Sequence, residues 1–238
     1  EMLLTCFCLR EKVRYMQGLH EVAAVFAFVQ AAALGELGPE DGDSGGMDDG
    51  TALACFCSFV HRFVPYFHDG EAFVALHVSL LFFRQLVFYH HPDLHNTLDE
   101  AGISPFEYAT PWFITLFSSK TPLSVLLELW DRFIVRGEHT FLPFLSVAML
   151  AAEKSAVLAA EEDEAHTAIA RAGVKTLEKL EAVWATAEVL RAQTPQSFVV
   201  RLSRVLGAVK EKSGLPQSAE RPWSERVLGA VEKERRFL

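Results

Sequence analysis

The chain has 238 residues, half of them hydrophobic and 22% charged, with 31 acidic against 22 basic residues for a formal net charge of -9. That balance argues against a nucleic-acid-binding surface, which needs a basic footprint. The length allows one large domain with a real core, or two small ones, and 19 phenylalanines point to a bulky aromatic core.

The chain opens on Glu1. The apolar run 2–9 is short and its charges follow it, the wrong order for a signal peptide. The chain therefore reads as a piece of a longer protein. Four cysteines form two C-x-C pairs, Cys6/Cys8 and Cys55/Cys57, in helical surroundings. On a helix, i and i+2 point to different sides, and zinc sites of this type use C-x₂₋₄-C spacing. Free thiols, mostly buried and in a reducing compartment, are expected.

Apolar residues recur at helical spacing almost everywhere, so the expected fold class is all-α, with no β-sheet. A first helix is predicted over 17–34, with Leu19, Val22, Val25, Phe26 and Val29 on one side. The Gly-, Asp- and Glu-rich stretch 35–50 reads as an exposed, mobile acidic loop. It is no calcium loop, because the twelfth position counted from Asp41 is Ala52 where a bidentate Glu belongs. Helices follow at 51–67 and 71–89. The second is strongly apolar, but His77, Arg84 and Gln85 interrupt it, and the clean run 141–152 is far shorter than the roughly 20 residues a membrane span requires. No transmembrane segment is expected.

A short helix over 92–101 has Pro92 at its first position and Gly102 after its end. The stretch 105–117 reads as a helix broken at Pro111. Helices are then predicted over 123–135, 140–160, 161–172 and 175–193, ending before Pro195. The segment 203–238 reads as an amphipathic tail outside a domain of residues 1–202. It holds a repeat, Arg204-Val-Leu-Gly-Ala-Val209 and Arg226-Val-Leu-Gly-Ala-Val231, a candidate for binding a further protein partner.

The sequence has no H-E-x-x-H and no Walker-type or G-x-G-x-x-G loop. His90, His91 and His95 cluster around Pro92, with His91 at the cap and His95 one turn on, but no third ligand beside those two is evident, and surface imidazoles at a helix start are expected.

Several blocks, in order and at fitting spacing, resemble the TBC domain family, which acts on Rab-type small GTPases. Tyr15-Met16-Gln17-Gly18 resembles its Y-x-Q-G segment. His91-Pro92-Asp93-Leu94-His95 is similar to its H-D-P-E-L stretch, and Ile103-Ser104-Pro105-Phe106-Glu107-Tyr108-Ala109 to its G-I-x-P-x-x-Y-A after Gly102. Pro111-Trp112-Phe113-Ile114-Thr115-Leu116-Phe117 matches P-W-F-x-T-L-F, and Leu129-Trp130-Asp131 matches L-W-D. Thr194-Pro195-Gln196-Ser197-Phe198 is similar to a T-P-x-S-F of some members, so the resemblance spans about 7–198.

The resemblance implies an all-helical module that binds a Rab and speeds its GTP hydrolysis with an Arg and a Gln supplied in trans. Gln17 is the position matching the glutamine, with Tyr15, Gly18 and His20 as partner contacts around it. The arginine motif, I-x-x-D-x-x-R, occurs nowhere in the chain; Arg10 and Arg14 are the nearest guanidiniums and stand outside it. The implied activity is therefore that of a weak GTPase activator with incomplete catalytic residues, or alternatively of an inactive adaptor that binds a Rab or another protein. No cofactor of its own is implied, since GTP and magnesium belong to the partner. The implied location is cytoplasmic, with membrane contact through the GTPase. Trp112 and Trp130 are read as core residues, and Asp131 as satisfying a cap or a buried Arg, all without chemistry.

Overall fold

The computed structural model describes residues 1–33, 48–68, 73–160 and 162–213. Among them every regular element is helical and no strand occurs. In chain order the helices are α1 (Met2–Glu11), α2 (Leu19–Ala33), α3 (Asp49–Phe63), α4 (Val74–His90), α5 (Pro92–Glu100), α6 (Pro105–Tyr108) and α7 (Thr110–Ile114). They continue as α8 (Leu123–Arg136), α9 (Leu142–Ala151), α10 (Lys154–Ala159), α11 (Glu162–Ala170), α12 (Leu177–Gln193) and α13 (Gln196–Ser213). None of them is long and apolar enough to cross a membrane.

The centre is α4 and α9. Every residue of α9 from Leu142 to Leu150 is buried, as a helix apolar on all sides must be. α9 packs between α4 and α12, and α13 lies along α4. At the other end α1 packs on α2 and α3. There Phe7 meets Phe56 edge-on at 5.2 Å between ring centroids, and Phe26 and Phe59 stack toward Trp130 at 6.0 and 4.5 Å.

The helix ends follow local chemistry. The Thr176 side chain accepts from the Lys179 amide at 3.1 Å and starts α12. Ser104 and Glu107 form a reciprocal capping box at α6. Asp48 caps α3 by accepting from the Thr51 amide at 2.8 Å. The last residues of the expected acidic loop thus belong to a helix start; residues 34–47 lie outside the described residues.

α1 precedes the first helix that the sequence pattern predicts, and several boundaries depart from that pattern. The helix expected from residue 17 starts at Leu19, because Gly18 at φ 101 cannot be helical. The single helix expected over 140–160 is a 3₁₀ turn (His139–Phe141), then α9, then α10. No Gly or Pro marks the break at 152–153; the Glu153 carboxylate instead meets Lys179 of α12 at 2.6 Å, a tertiary contact that no local pattern carries. The boundary expected between residues 202 and 203 falls inside α13, whose Leu202 and Leu206 are both buried. The first copy of the repeat therefore lies on α13, and the second lies outside the described residues.

α8 ends on Gly137 at φ 66, where the Arg62 Nη2 of α3 donates to the Gly137 carbonyl at 3.0 Å. A Cβ on residue 137 would lie 2.6 Å from that nitrogen. Gly137→Ala is expected to lower stability by about 1–2 kcal/mol, the cost of a left-handed non-glycine residue, with Arg62 displaced. Denaturant unfolding of the variant checks this; an unchanged midpoint would contradict it.

α8 and α12 are also joined through Glu138. Its carboxylate accepts from Arg136 at 2.9 Å and from Arg191 at 2.8 Å. Arg136 stacks on the Phe141 ring at 3.7 Å and also pairs with Glu188. Burial by itself would raise the Glu138 pKa, but the Arg191 and Arg136 guanidiniums outweigh it and hold the carboxyl below its ordinary value. A depressed carboxylate stabilises the fold above the unfolded-state pKa, and that contribution fades as pH falls through the folded one. Wild type should therefore lose urea resistance as pH drops below about 4. Glu138→Gln should be less stable at neutral pH, with the gap closing across that acid window. A gap independent of pH would contradict the pairing.

Candidate functional site

The site is the turn between α1 and α2. α1 ends on Lys12 in the left-handed region at φ 55, and the chain runs without regular structure to a tight turn at Gln17–Gly18. The Leu19 amide donates to the Met16 carbonyl at 3.3 Å, and the Glu21 amide to the Gly18 carbonyl at 3.1 Å. Leu19 and Val22, both fully buried, anchor the far side of the turn in the core. Gln17 is left outside the helix with its side chain exposed.

Gly18 is buried and sits against the C-terminal end of α7. A Cβ there would lie 3.1 Å from Ile114 Cδ1 and 3.4 Å from Thr115 Cγ2. Residue 18 must be glycine for two internal reasons, its φ of 101 and this close approach. The floor beneath it is itself held. Thr115 Oγ1 donates to the Pro111 carbonyl at 2.7 Å. The next residues, Leu116 and Phe117, are buried with φ of 47 and 67, an uncommon conformation for such side chains. The Trp130 indole N–H donates to the Leu116 carbonyl at 3.0 Å and secures that bend. Trp112 is buried, and its own indole nitrogen has no hydrogen-bond partner.

Tyr15, Gly18 and His20 flank Gln17 along the turn. Tyr15 is 55% exposed and His20 is exposed. Their side chains meet each other: the Tyr15 hydroxyl and His20 Nδ1 share a hydrogen bond of 2.7 Å across the turn. Of the nearby arginines, Arg10 pairs with Glu11 at 3.4 Å, and Glu11 also meets His61 at 2.9 Å. Arg14 is exposed. The floor formed by Ile114, Thr115, Leu116 and Trp130 was not legible as part of the site. Its residues lie in recognisable blocks, but their place under Gly18 is a contact across nearly half the chain.

Elsewhere the imidazole cluster differs from the expected surface histidines. His90 Nε2 bonds Thr194 Oγ1 at 2.8 Å, tying α4 to the α12–α13 junction. Burial pushes the His90 and His91 pKa values down. His91 Nε2 and His95 Nδ1 are buried without a hydrogen-bond partner. Among the described residues no group of three or more His, Cys, Asp or Glu side chains is placed to hold a metal. Of the cysteines only Cys57 is buried; Cys6 and Cys8 are half-buried and Cys55 is exposed, fewer buried thiols than the helical pattern implied.

Comparison with known proteins bears on the same segment. The family model of the Rab-GTPase-TBC domain matches residues 1–158, from α1 to the last turn of α10. The chain is 28% identical to the human TBC domain-containing protein kinase-like protein over 145 residues, 61% of this chain and 14% of that protein. It is 30% identical to the Dictyostelium discoideum protein of the same name over 125 residues, 52% of this chain and 11% of that one. The yeast GTPase-activating protein GYP5 is 39% identical over 83 residues, 35% of this chain and 9% of that protein. The chain thus spans a small part of the length of each relative.

Proposed function

The chain belongs to the Rab-GTPase-TBC domain family, and on that footing we propose that it recognises a Rab-type small GTPase in its GTP-bound form and presents Gln17 to the water that attacks the γ-phosphate. The observation that supports this most is the placement of Gln17. Its side chain is exposed, at the apex of a turn whose next residue is pressed onto a hydrogen-bonded floor.

The chemistry fits a glutamine. Phosphoryl transfer needs little covalent help from protein; it is helped by orienting the water and stabilising the charge that spreads over the γ-phosphate oxygens. A Gln amide accepts through its oxygen and donates through its nitrogen, so one side chain holds the water and a phosphate oxygen together. GTP and magnesium stay with the GTPase. No residue of this chain stands in the I-x-x-D-x-x-R pattern. An arginine in that role contributes about 10³–10⁵ in rate, so the stimulation expected of these residues is what placement and Gln17 supply.

Arg10, tied to Glu11, favours a second reading, in which the same surface binds a Rab without accelerating it. In either case the chain works at the cytoplasmic membrane surface to which its lipidated partner is anchored. A panel of GTP-loaded Rabs, assayed for binding and for single-turnover hydrolysis, separates the two. Acceleration of one Rab supports the first, GTP-dependent binding without acceleration the second. Absence of both across the panel would overturn the Rab-facing role.

A further inference from the structure

We propose that Tyr15 and His20 act as a pair, a clamp across the Gln17–Gly18 turn that positions Gln17 for the attacking water. The inference rests on the role proposed for Gln17 and adds residues that act through it. Tyr15 and His20 thereby become positioning residues rather than two separate partner contacts.

The geometry is specific. Tyr15 precedes Gln17 by two residues and His20 follows it by three; their 2.7 Å hydrogen bond closes the backbone between them into a ring. The two rings lie 6.0 Å apart between centroids at 47°, so the side chains are also in ring contact. The turn is also held by Gly18 against Ile114 and Thr115. Met16 packs against the core and Leu19 is buried in it, so Gln17 is left with its side chain exposed between the two contacts.

The need for a clamp follows from the side chain itself. Glutamine is among the residues with the most rotamer freedom to lose, and its backbone here lies in no helix. A misplacement of about 1 Å costs a catalytic group roughly 10²-fold. A neutral His20 accepts at Nδ1 from the Tyr15 hydroxyl, which puts the ring proton on Nε2. A protonated His20 donates from Nδ1 to the Tyr15 oxygen instead. The clamp therefore survives either state of the ring.

Two measurements on the intact chain test it. The first needs no GTPase. Ring-nitrogen NMR should find His20 in the Nε2–H tautomer, and Tyr15→Phe should shift it toward a mixture. The Gln17 backbone amide should become more mobile in the same variant. An unchanged tautomer and an unchanged Gln17 amide would overturn the clamp whatever the activity.

The second is a double-mutant cycle in single-turnover hydrolysis. Tyr15→Phe and His20→Ala should each lower the maximal rate about tenfold, the size of one ordinary hydrogen bond, with the half-saturating concentration little changed. The double variant should also lose about tenfold, because both changes remove one bond. His20→Asn, whose side-chain oxygen accepts near the place of Nδ1, should recover part of the loss. Multiplying losses, or a change confined to half-saturation, would mean independent partner contacts and overturn the clamp. If Gln17→Ala proves as active as wild type, the role proposed for Gln17 fails and positioning with it, while the NMR result still reports whether the pair exists.

Discussion

Gln17→Ala is expected to lower the stimulated GTP hydrolysis toward the partner's intrinsic rate, a loss on the order of 10²–10³-fold if Gln17 contributes like other preorganised hydrogen-bonding groups. Such a loss corresponds to about 3–4 kcal/mol of transition-state stabilisation. The expectation rests on where the residue stands. The side chain is exposed and makes no contact that holds the fold, so stability should be unchanged within about 0.5 kcal/mol, as for an ordinary surface substitution. Binding to the GTP-bound partner should change little, because an interaction made only in the transition state lowers the maximal rate and not ground-state affinity. A variant that weakens binding and leaves the maximal rate intact would instead make Gln17 a recognition residue.

The largest structural effect is expected at Trp130. Its ring is buried between Phe59 and Phe26, and its N–H donates to the Leu116 carbonyl. Trp130→Ala removes the ring and leaves a cavity, at a cost of about 3–5 kcal/mol. Against the ~5–15 kcal/mol that holds a typical domain, that leaves a marginal fold. Trp130→Phe separates the two contributions. It keeps an aromatic ring against Phe59 and orphans the buried Leu116 carbonyl, costing about 1–3 kcal/mol. Leu116 adjoins the Ile114–Thr115 floor under Gly18, so Trp130→Phe should also lower GTPase stimulation at temperatures where it remains folded. Unfolding curves and single-turnover rates on the two variants check this. A Trp130→Phe protein as stable as wild type would mean that the hydrogen bond does not hold the bend.

How much of this was legible in the sequence depends on the range of the contact. Helical periodicity, Pro92 at a helix start and Gly102 and Gly137 after helix ends are local signals, and most helices from α2 onward lie close to where those signals put them, whereas α1 lies before the first predicted helix. The break at 152–153 was not legible, because Glu153 leaves the helix toward Lys179 in another element. The helix that runs across residues 202–203 was not legible for a different reason. The Arg204–Val209 repeat drew the boundary, whereas the run Phe198, Val199, Leu202, Leu206 continues one apolar stripe of α13 onto α4. At the site, the four residues Tyr15 to Gly18 pointed to Gln17 through resemblance alone. That Gln17 stands on a turn and not in a helix follows from φ at Gly18. The floor under it and the Tyr15–His20 bond are tertiary facts that one sequence does not carry.

Gln17 is tested most directly with a Rab whose own water-orienting glutamine is replaced by leucine, so that the only glutamine able to hold the water comes from this chain. Single-turnover hydrolysis by that GTPase should still be accelerated by the wild-type chain, and not by Gln17→Ala. Acceleration that vanishes with the Rab's own glutamine while Gln17 is intact, or that persists in Gln17→Ala, would contradict a glutamine supplied in trans.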